Sequence, residues 1–217
     1  MEEFFAAIRQ GDPERVAALL AADPGLAEAR NPEGATGVLW AVYVRHPELV
    51  PLVSGGRVLD LYEACATGGL ERIREALAAD PHAANSYSAD GFTPLGLAIF
   101  FGHREAARLL LDAGANPRTP SRNALRVAPL HSAVAAGDLE AVRMLIARGA
   151  EADPVEFLGA TPLHSAAMSG RADIARVLIE AGADPERKTK DQKTALDLAE
   201  AGGHAQVAEL LRGWRRD

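Results

Sequence analysis

The chain has almost no cysteine, few aromatic residues, no long apolar run and no excess of basic charge. Cys65 is the single cysteine among 217 residues, which excludes an intrachain disulfide framework and is compatible with a reducing compartment. No stretch approaches the about 20 consecutive apolar residues that a membrane-crossing helix requires. The opening segment MEEFFAAIRQGDPERV is acidic where a secretory leader is basic, so the expected setting is cytoplasmic, with no membrane contact. The formal net charge is −7. Non-specific nucleic-acid binding draws on a basic surface, so no nucleic acid is expected as a partner. Aromatic residues make up 5% of a chain that is 48% apolar. The core must therefore be built of Ala, Leu, Val and Ile, which suits helices that approach closely through small side chains.

Catalytic signatures are also missing. There is no HExxH, CxxC or GxSxG, and no carboxylate cluster at metal spacing. The pairs Gly55-Gly56, Gly68-Gly69 and Gly202-Gly203 read as turns rather than phosphate loops. No catalytic residue, metal or cofactor is expected. Cys65 falls in mid-helix, where a small packing residue is wanted, and not in the setting of a reactive thiol.

What the chain does have is an internal repeat. FTPLGLAIFFGHREAARLLLDAGANP from Phe92, VAPLHSAVAAGDLEAVRMLIARGAEA from Val127 and ATPLHSAAMSGRADIARVLIEAGADP from Ala160 align without a gap. KTALDLAEAGGHAQVAELLRGW from Lys193 follows. The residue opening each unit falls at 93, 128, 161 and 194, and the glycine closing its first helix falls at 102, 137, 170 and 203. Thr at the N-cap accepts a bond from a free backbone N–H, and Pro at the first helical position lacks the donor that would be unpaired there. A second helix, such as ADIARVLIEAG, carries its apolar stripe at Ile174, Val177 and Leu178 and closes on Gly182. Neither helix buries its apolar face alone, so the units must stack.

The N-terminal half is less regular. Residues 2–20 match the two-helix unit, with Gly11 at the turn. Residues 36–53 replace Pro with Gly37 and the turn glycine with Arg45, and residues 58–79 lack the TPL opening. AADPGLAEARNPEGAT and AADPHAANSYSADGFT end two units in a different way from the rest. Turn positions are expected at 11, 45, 69, 102, 137, 170 and 203. The interval from 45 to 69 is short, and SGGRV leaves no room for a projecting turn, so a gap is expected in the row of turns between the second and third units.

With TPLH at 161–164, APLH at 128–131, TPLG at 93–96 and TAL at 194–196, the chain resembles the ankyrin repeat. The resemblance implies an all-α solenoid of about seven helix-turn-helix units with short projecting turns, curved with a concave groove. On that reading residues 1–217 form a single ankyrin-repeat domain. Its units run approximately 1–33 (N-terminal cap), 34–57 (shortened), 58–89, 90–124, 125–157, 158–190 and 191–217 (C-terminal cap). It also implies that His131 and His164 hydrogen-bond the adjacent turn and are not metal ligands. His103 and His204, after the turn glycine, are expected to help cap that turn. The RGWRRD end reads as a helix tail with favourable positive charge, and Trp214 as a seal on the last core.

The resemblance further implies that partners contact the projecting turns, the residue before the opening Thr, and the last two residues of each first helix. Tyr43, Tyr87, Phe92, Phe100, Phe101 and Phe157 fall at such positions, as does Met168. Phe100 and Phe101 point about 100° apart on a helix and do not easily share one narrow stripe. Aromatic residues are enriched at binding hot spots. The expected function is a non-catalytic, monomeric scaffold for another protein or peptide, of the compact kind found in bacteria. Two alternatives stay open: self-association through the groove, and a small-molecule or enzymatic site near the shortened repeat, where Asp60, Tyr62, Glu63 and Tyr43 would gather. Arg118, Arg122 and Arg126, in the turn 116–127, read as a solvated loop or as contacts for an acidic segment or phosphate.

Overall fold

The computed structural model describes residues 1–214. Among them the regular structure is helical, with no strand. The charged tail expected at 215–217 lies outside the described residues; Trp214 is half-buried. The chain divides into two compact units, Met1–Gly114 and Ala115–Asp217.

The first unit contains α1 (Glu2–Gln10), α2 (Pro13–Ala22), α3 (Gly37–Tyr43), α4 (Val50–Val53), α5 (Leu61–Thr67), α6 (Leu70–Ala79), α7 (Pro94–Phe100) and α8 (Arg104–Asp112). First helices stack in the order α1, α3, α5, α7, and α2 packs on α4 as α6 does on α8. The second unit contains α9 (Pro129–Ala135), α10 (Leu139–Ala147), α11 (Pro162–Met168), α12 (Ala172–Glu180), α13 (Ala195–Ala201) and α14 (Ala205–Gly213). There α11 lies between α9 and α13, and α12 between α10 and α14. The expected all-α repeat architecture is therefore present.

Local chemistry sets the helix ends as the sequence required. Thr93 Oγ1 accepts from the Gly96 N–H at 3.0 Å, with Pro94 at the first helical position. Two unit ends differ because Asp23 and Asp80 each cap a 3-10 turn, accepting from the Gly25 and His82 N–H groups. Leu95, Leu97 and Leu110 are fully buried in the first unit, as are Leu130, Leu145 and Leu163 in the second. Each such side chain contributes about 1.5–3 kcal/mol. Ala98, Ala107, Ala133 and Ala166, fully buried beside them, let the helices approach. Cys65 is also fully buried, and burial pushes its thiol pKa up, so it packs rather than reacts.

Three expectations need correction. The third turn falls at Gly68 (φ 77), not Gly69, which caps α6; the pair ending α5 is then Ala66–Thr67. The missing residues of the second repeat come from its second helix as well as from its projecting turn. Pro51, which has no N–H to give the Pro47 carbonyl, breaks that segment into a 3-10 turn and the four residues of α4, where the other second helices have nine or ten. The backbone N–H groups of His103 and His204 close their own turns, on the Ala98 and Ala199 carbonyls at 2.8 Å, but their side chains do not. Each reaches back to the preceding repeat, His103 Nε2 to the Ala66 carbonyl at 3.0 Å and His204 Nε2 to that of Met168 at 2.9 Å. Arg171 does the same to Gly137 at 2.7 Å. At these three positions the residue after the turn glycine thus ties one repeat to the one before it, whereas Asp12 and Asp138 cap their own second helices.

Candidate functional site

The aromatic residues of the first unit converge. Tyr43 ends α3 and Phe100 ends α7, with Phe101 next in the chain. Since α5 packs between α3 and α7, Tyr43 meets Phe101 across the end of α5, where Ala66, Thr67 and Gly68 are small enough to leave the path open. The Tyr43 ring centroid lies 5.4 Å from that of Phe101, 6.3 Å from Phe100 and 6.1 Å from Phe92. Phe100 and Phe101 meet edge to face at 5.0 Å and 89°, a favoured geometry for aromatic pairs.

A polar strut fixes the cluster. The Tyr43 hydroxyl donates to Asp90 Oδ2 at 2.8 Å, while the other oxygen of that buried carboxylate accepts from the Ser88 hydroxyl. Burial, and then the Asp90 charge, push the Tyr43 pKa up, so the hydroxyl keeps its proton and remains a donor. Phe101, Phe92 and Tyr43 are half-buried, and Phe100 stands 49% exposed. The two phenylalanines therefore divide their work, Phe101 filling the cluster and Phe100 presenting an open face. Tyr87 sits half-buried just before Ser88. Phe157 and Met168 belong to the second unit, where they are 55% and 61% exposed.

The gap expected in the row of projecting turns is closed. The turn at residues 31–36 lies directly against the one at 88–92, so a methyl group placed on Gly34 would come 2.8 Å from the Ala89 carbonyl. Of the four residues expected to gather at the shortened repeat, only Asp60 and Glu63 meet, in the capping box of α5, while the two tyrosines turn elsewhere. Tyr43 turns to Asp90, and Tyr62 donates to the Ser86 hydroxyl at 2.8 Å. Asp60 caps α5, accepting from the Glu63 N–H at 2.8 Å.

Glu63 is fully buried. It receives Arg57 Nη1 at 2.7 Å and Nη2 at 2.5 Å, the Thr36 hydroxyl at 2.7 Å and the Asp60 N–H at 2.9 Å. Burial would raise its pKa, but the bonds from Arg57, Thr36 and Asp60 outweigh it and hold the carboxyl below the usual range. Arg57 extends this link to Glu28 at 3.2 Å. The pair was not singled out as structural from sequence, although the Asp-x-x-Glu spacing of a capping box was there to be read.

His164 and His131 bond the following turn, as the resemblance implied. His164 Nδ1 takes the Thr161 N–H at 3.1 Å and its hydroxyl at 2.8 Å, which leaves Nε2–H to donate to the Lys193 carbonyl at 3.1 Å. His131 Nε2 likewise meets the Ala160 carbonyl at 3.3 Å, but its buried Nδ1 has no partner because Ala128 stands where the other repeat has Thr. Burial lowers both imidazole pKa values and favours the neutral rings. Ala128→Thr should supply both the missing cap and a donor to Nδ1. We expect a gain of about 1 kcal/mol, a rise of roughly 2–4 °C in Tm. Thermal unfolding by circular dichroism measures it, and an unchanged or lower Tm would refute this account of the orphaned nitrogen.

Among the described residues, no group of three or more His, Cys, Asp or Glu side chains forms a metal site, and no helix is long and apolar enough to cross a membrane. A family model described as ankyrin repeats (3 copies) matches residues 130–215, and one described as ankyrin repeat matches residues 90–122, together more than half of the chain. The human Neurogenic locus notch homolog protein 4 is 50% identical over 56 residues, which are 26% of this chain and 3% of that protein.

Proposed function

Because the chain belongs to the ankyrin-repeat family, whose repeats generally serve as protein–protein interaction modules, we propose that it is a non-catalytic scaffold that holds a protein or peptide. In the first unit the contact surface is Tyr43, Tyr87, Phe92, Phe100 and Phe101; in the second it includes Phe157 and Met168. The observation that carries this reading is Phe100, a large apolar side chain left half exposed on a base of two other rings, Tyr43 and Phe101. Covering such a side chain contributes about 1.5–3 kcal/mol, and the rings beneath it are already ordered, so little entropy is lost on binding.

The test is a selection of displayed random peptides on the wild-type chain, followed by calorimetry on wild type and Phe100→Ala. Tm should fall by no more than about 6 °C, since the edge-to-face pair with Phe101 is worth about 0.5–1.5 kcal/mol, at roughly 2–4 °C per kcal/mol. Affinity should fall at least tenfold, which corresponds to about 1.4 kcal/mol. Equal affinities, or a large fall in Tm, would mark Phe100 as packing and remove the support for the surface.

A further inference from the structure

The projecting turns of the second unit form a surface of different chemistry. The Phe157 N–H donates to the Leu125 carbonyl at 3.1 Å, and the Lys190 N–H to the Leu158 carbonyl at 3.1 Å, so three successive turns are fastened side by side. The tips leave Leu125, Phe157 and Leu158 at 57%, 55% and 61% exposure. The last of these turns carries every lysine in the chain, Lys188, Lys190 and Lys193, all exposed. Lys190 Nζ lies 4.5 Å from the centre of the Phe157 ring. Arg122 and Arg126 add positive charge on the first turn, against the acidic side chains Glu156 and Asp191 at the tips. A chain of net charge −7 thus has a cationic surface here, with apolar side chains set into it.

Two of the same turns also carry a side chain on left-handed backbone at the tip, where the turns of the first unit have glycine. The tip residue two places before each opening Thr or Ala is left-handed throughout, and it is glycine at 34, 91 and 159. In the second unit it is also Arg126 (φ 52) and Gln192 (φ 59). A side chain in that conformation is strained where glycine is not. Arg126 is exposed, so burial of its side chain does not offset the strain, and retained strain of this kind clusters at binding sites.

We propose that these tips dock an acidic protein segment, its carboxylates meeting Lys188, Lys190 and Lys193 and its apolar side chains covering Leu125, Phe157 and Leu158. The proposal rests on the scaffold reading for the class of partner, a protein, and adds the chemistry of that partner. Mixed charge and apolar contact distinguishes such a segment from a purely electrostatic ligand, whose binding would not need the leucines.

The probe is a fluorescein-labelled peptide of alternating Glu and Leu, titrated by anisotropy with the full chain at low salt. Acetylation with an N-hydroxysuccinimide ester reaches only these three lysines and the N-terminal amine, which lies in the other unit. We expect the Glu–Leu peptide to bind, and to weaken at least tenfold on acetylation and in the double variant Leu125→Ser, Leu158→Ser, whose exposed positions leave the fold intact. Lys188→Arg with Lys190→Arg and Lys193→Arg should bind as wild type and be insensitive to acetylation. Arg126→Gly should weaken the peptide while leaving Tm equal or higher, which a merely structural arginine would not do. The proposal falls if the Glu–Leu peptide does not bind, if a Gln–Leu peptide binds equally, or if single-stranded oligonucleotide of equal charge binds as tightly and independently of the leucines. It also falls if Phe100→Ala alone abolishes binding, because the peptide would then sit on the first unit. If peptides selected through Phe100 bind while the Glu–Leu peptide does not, the scaffold reading stands and this one fails.

Discussion

Glu63→Gln is expected to lower Tm by roughly 6–12 °C, the largest effect of any single polar substitution in the first unit. Removing one partner of a buried ion pair costs about 3–5 kcal/mol because the remaining charge is stranded. Arg57 keeps one fifth of its side-chain surface in water and a second carboxylate at Glu28, so about 3 kcal/mol is the expected loss. At roughly 2–4 °C per kcal/mol for a chain of this size, that gives the stated range. Gln is nearly isosteric, so the loss is electrostatic and not a cavity. The acid limb separates the two further. A carboxyl whose folded pKa lies below its unfolded value adds stability that is complete above the unfolded value, about 4.3, and is lost as pH falls through the folded one. The gap in Tm between wild type and Glu63→Gln should therefore be widest near neutrality and narrow below about pH 4.3. Burial shifts Asp60 the other way, but Asp60 is present in both proteins and largely cancels in the difference. A difference curve flat down to pH 3, or a Tm loss below 2 °C, would contradict the structural role of the pair.

Gly34→Ala should lower Tm far more than Gly114→Ala, although the two backbones are nearly alike. Gly34 has φ 92 and Gly114 has φ 88, so the conformational cost of a side chain, about 1–2 kcal/mol, is common to both. The surroundings differ. A methyl group at Gly114 meets nothing within 4 Å, whereas at Gly34 it lies 2.8 Å from the backbone carbonyl of Ala89, which cannot rotate away. Overpacking of this kind adds about 1–3 kcal/mol. Urea unfolding of both variants measures the difference directly. Equal losses would mean that the turns at 31–36 and 88–92 do not press on each other, and that the space between them is open.

Both results bear on the same event, the closing of the first unit around its shortened repeat. The sequence showed that a projecting turn was missing, and from that alone a gap was expected. It did not show that Arg57, the one cation in SGGRV, would turn inward to Glu63, or that Pro51 would break the second helix. The Tyr43–Asp90 bond joins residues 47 apart in the chain, and no local pattern fixes such a distance. The Phe100–Phe101 question was also only half legible. Helical geometry required the two rings to diverge, but which one turned inward depended on Tyr43 reaching across the small end of α5. The exposed tips of the second unit were visible as turn residues. Their alignment through Phe157 and Lys190 was not, because backbone pairing between neighbouring turns leaves no mark on side-chain spacing.

The sequence by itself determined the repeat register from Phe92 onward, the helix caps at Thr93 and Thr161, the small-residue core and the bond that His131 and His164 make to the following turn. These follow from interactions spanning three or four residues, or from one repeat meeting the next at a fixed interval. The tertiary structure decided which aromatics stay in the open, where Glu63 finds its countercharge and how the missing turn is closed. The aromatic cluster and the closed turn depend on contacts between repeats that are not neighbours, whose distances are set by how tightly the intervening helices pack, and the Arg57–Glu63 pair depends on how the short loop before α5 folds back.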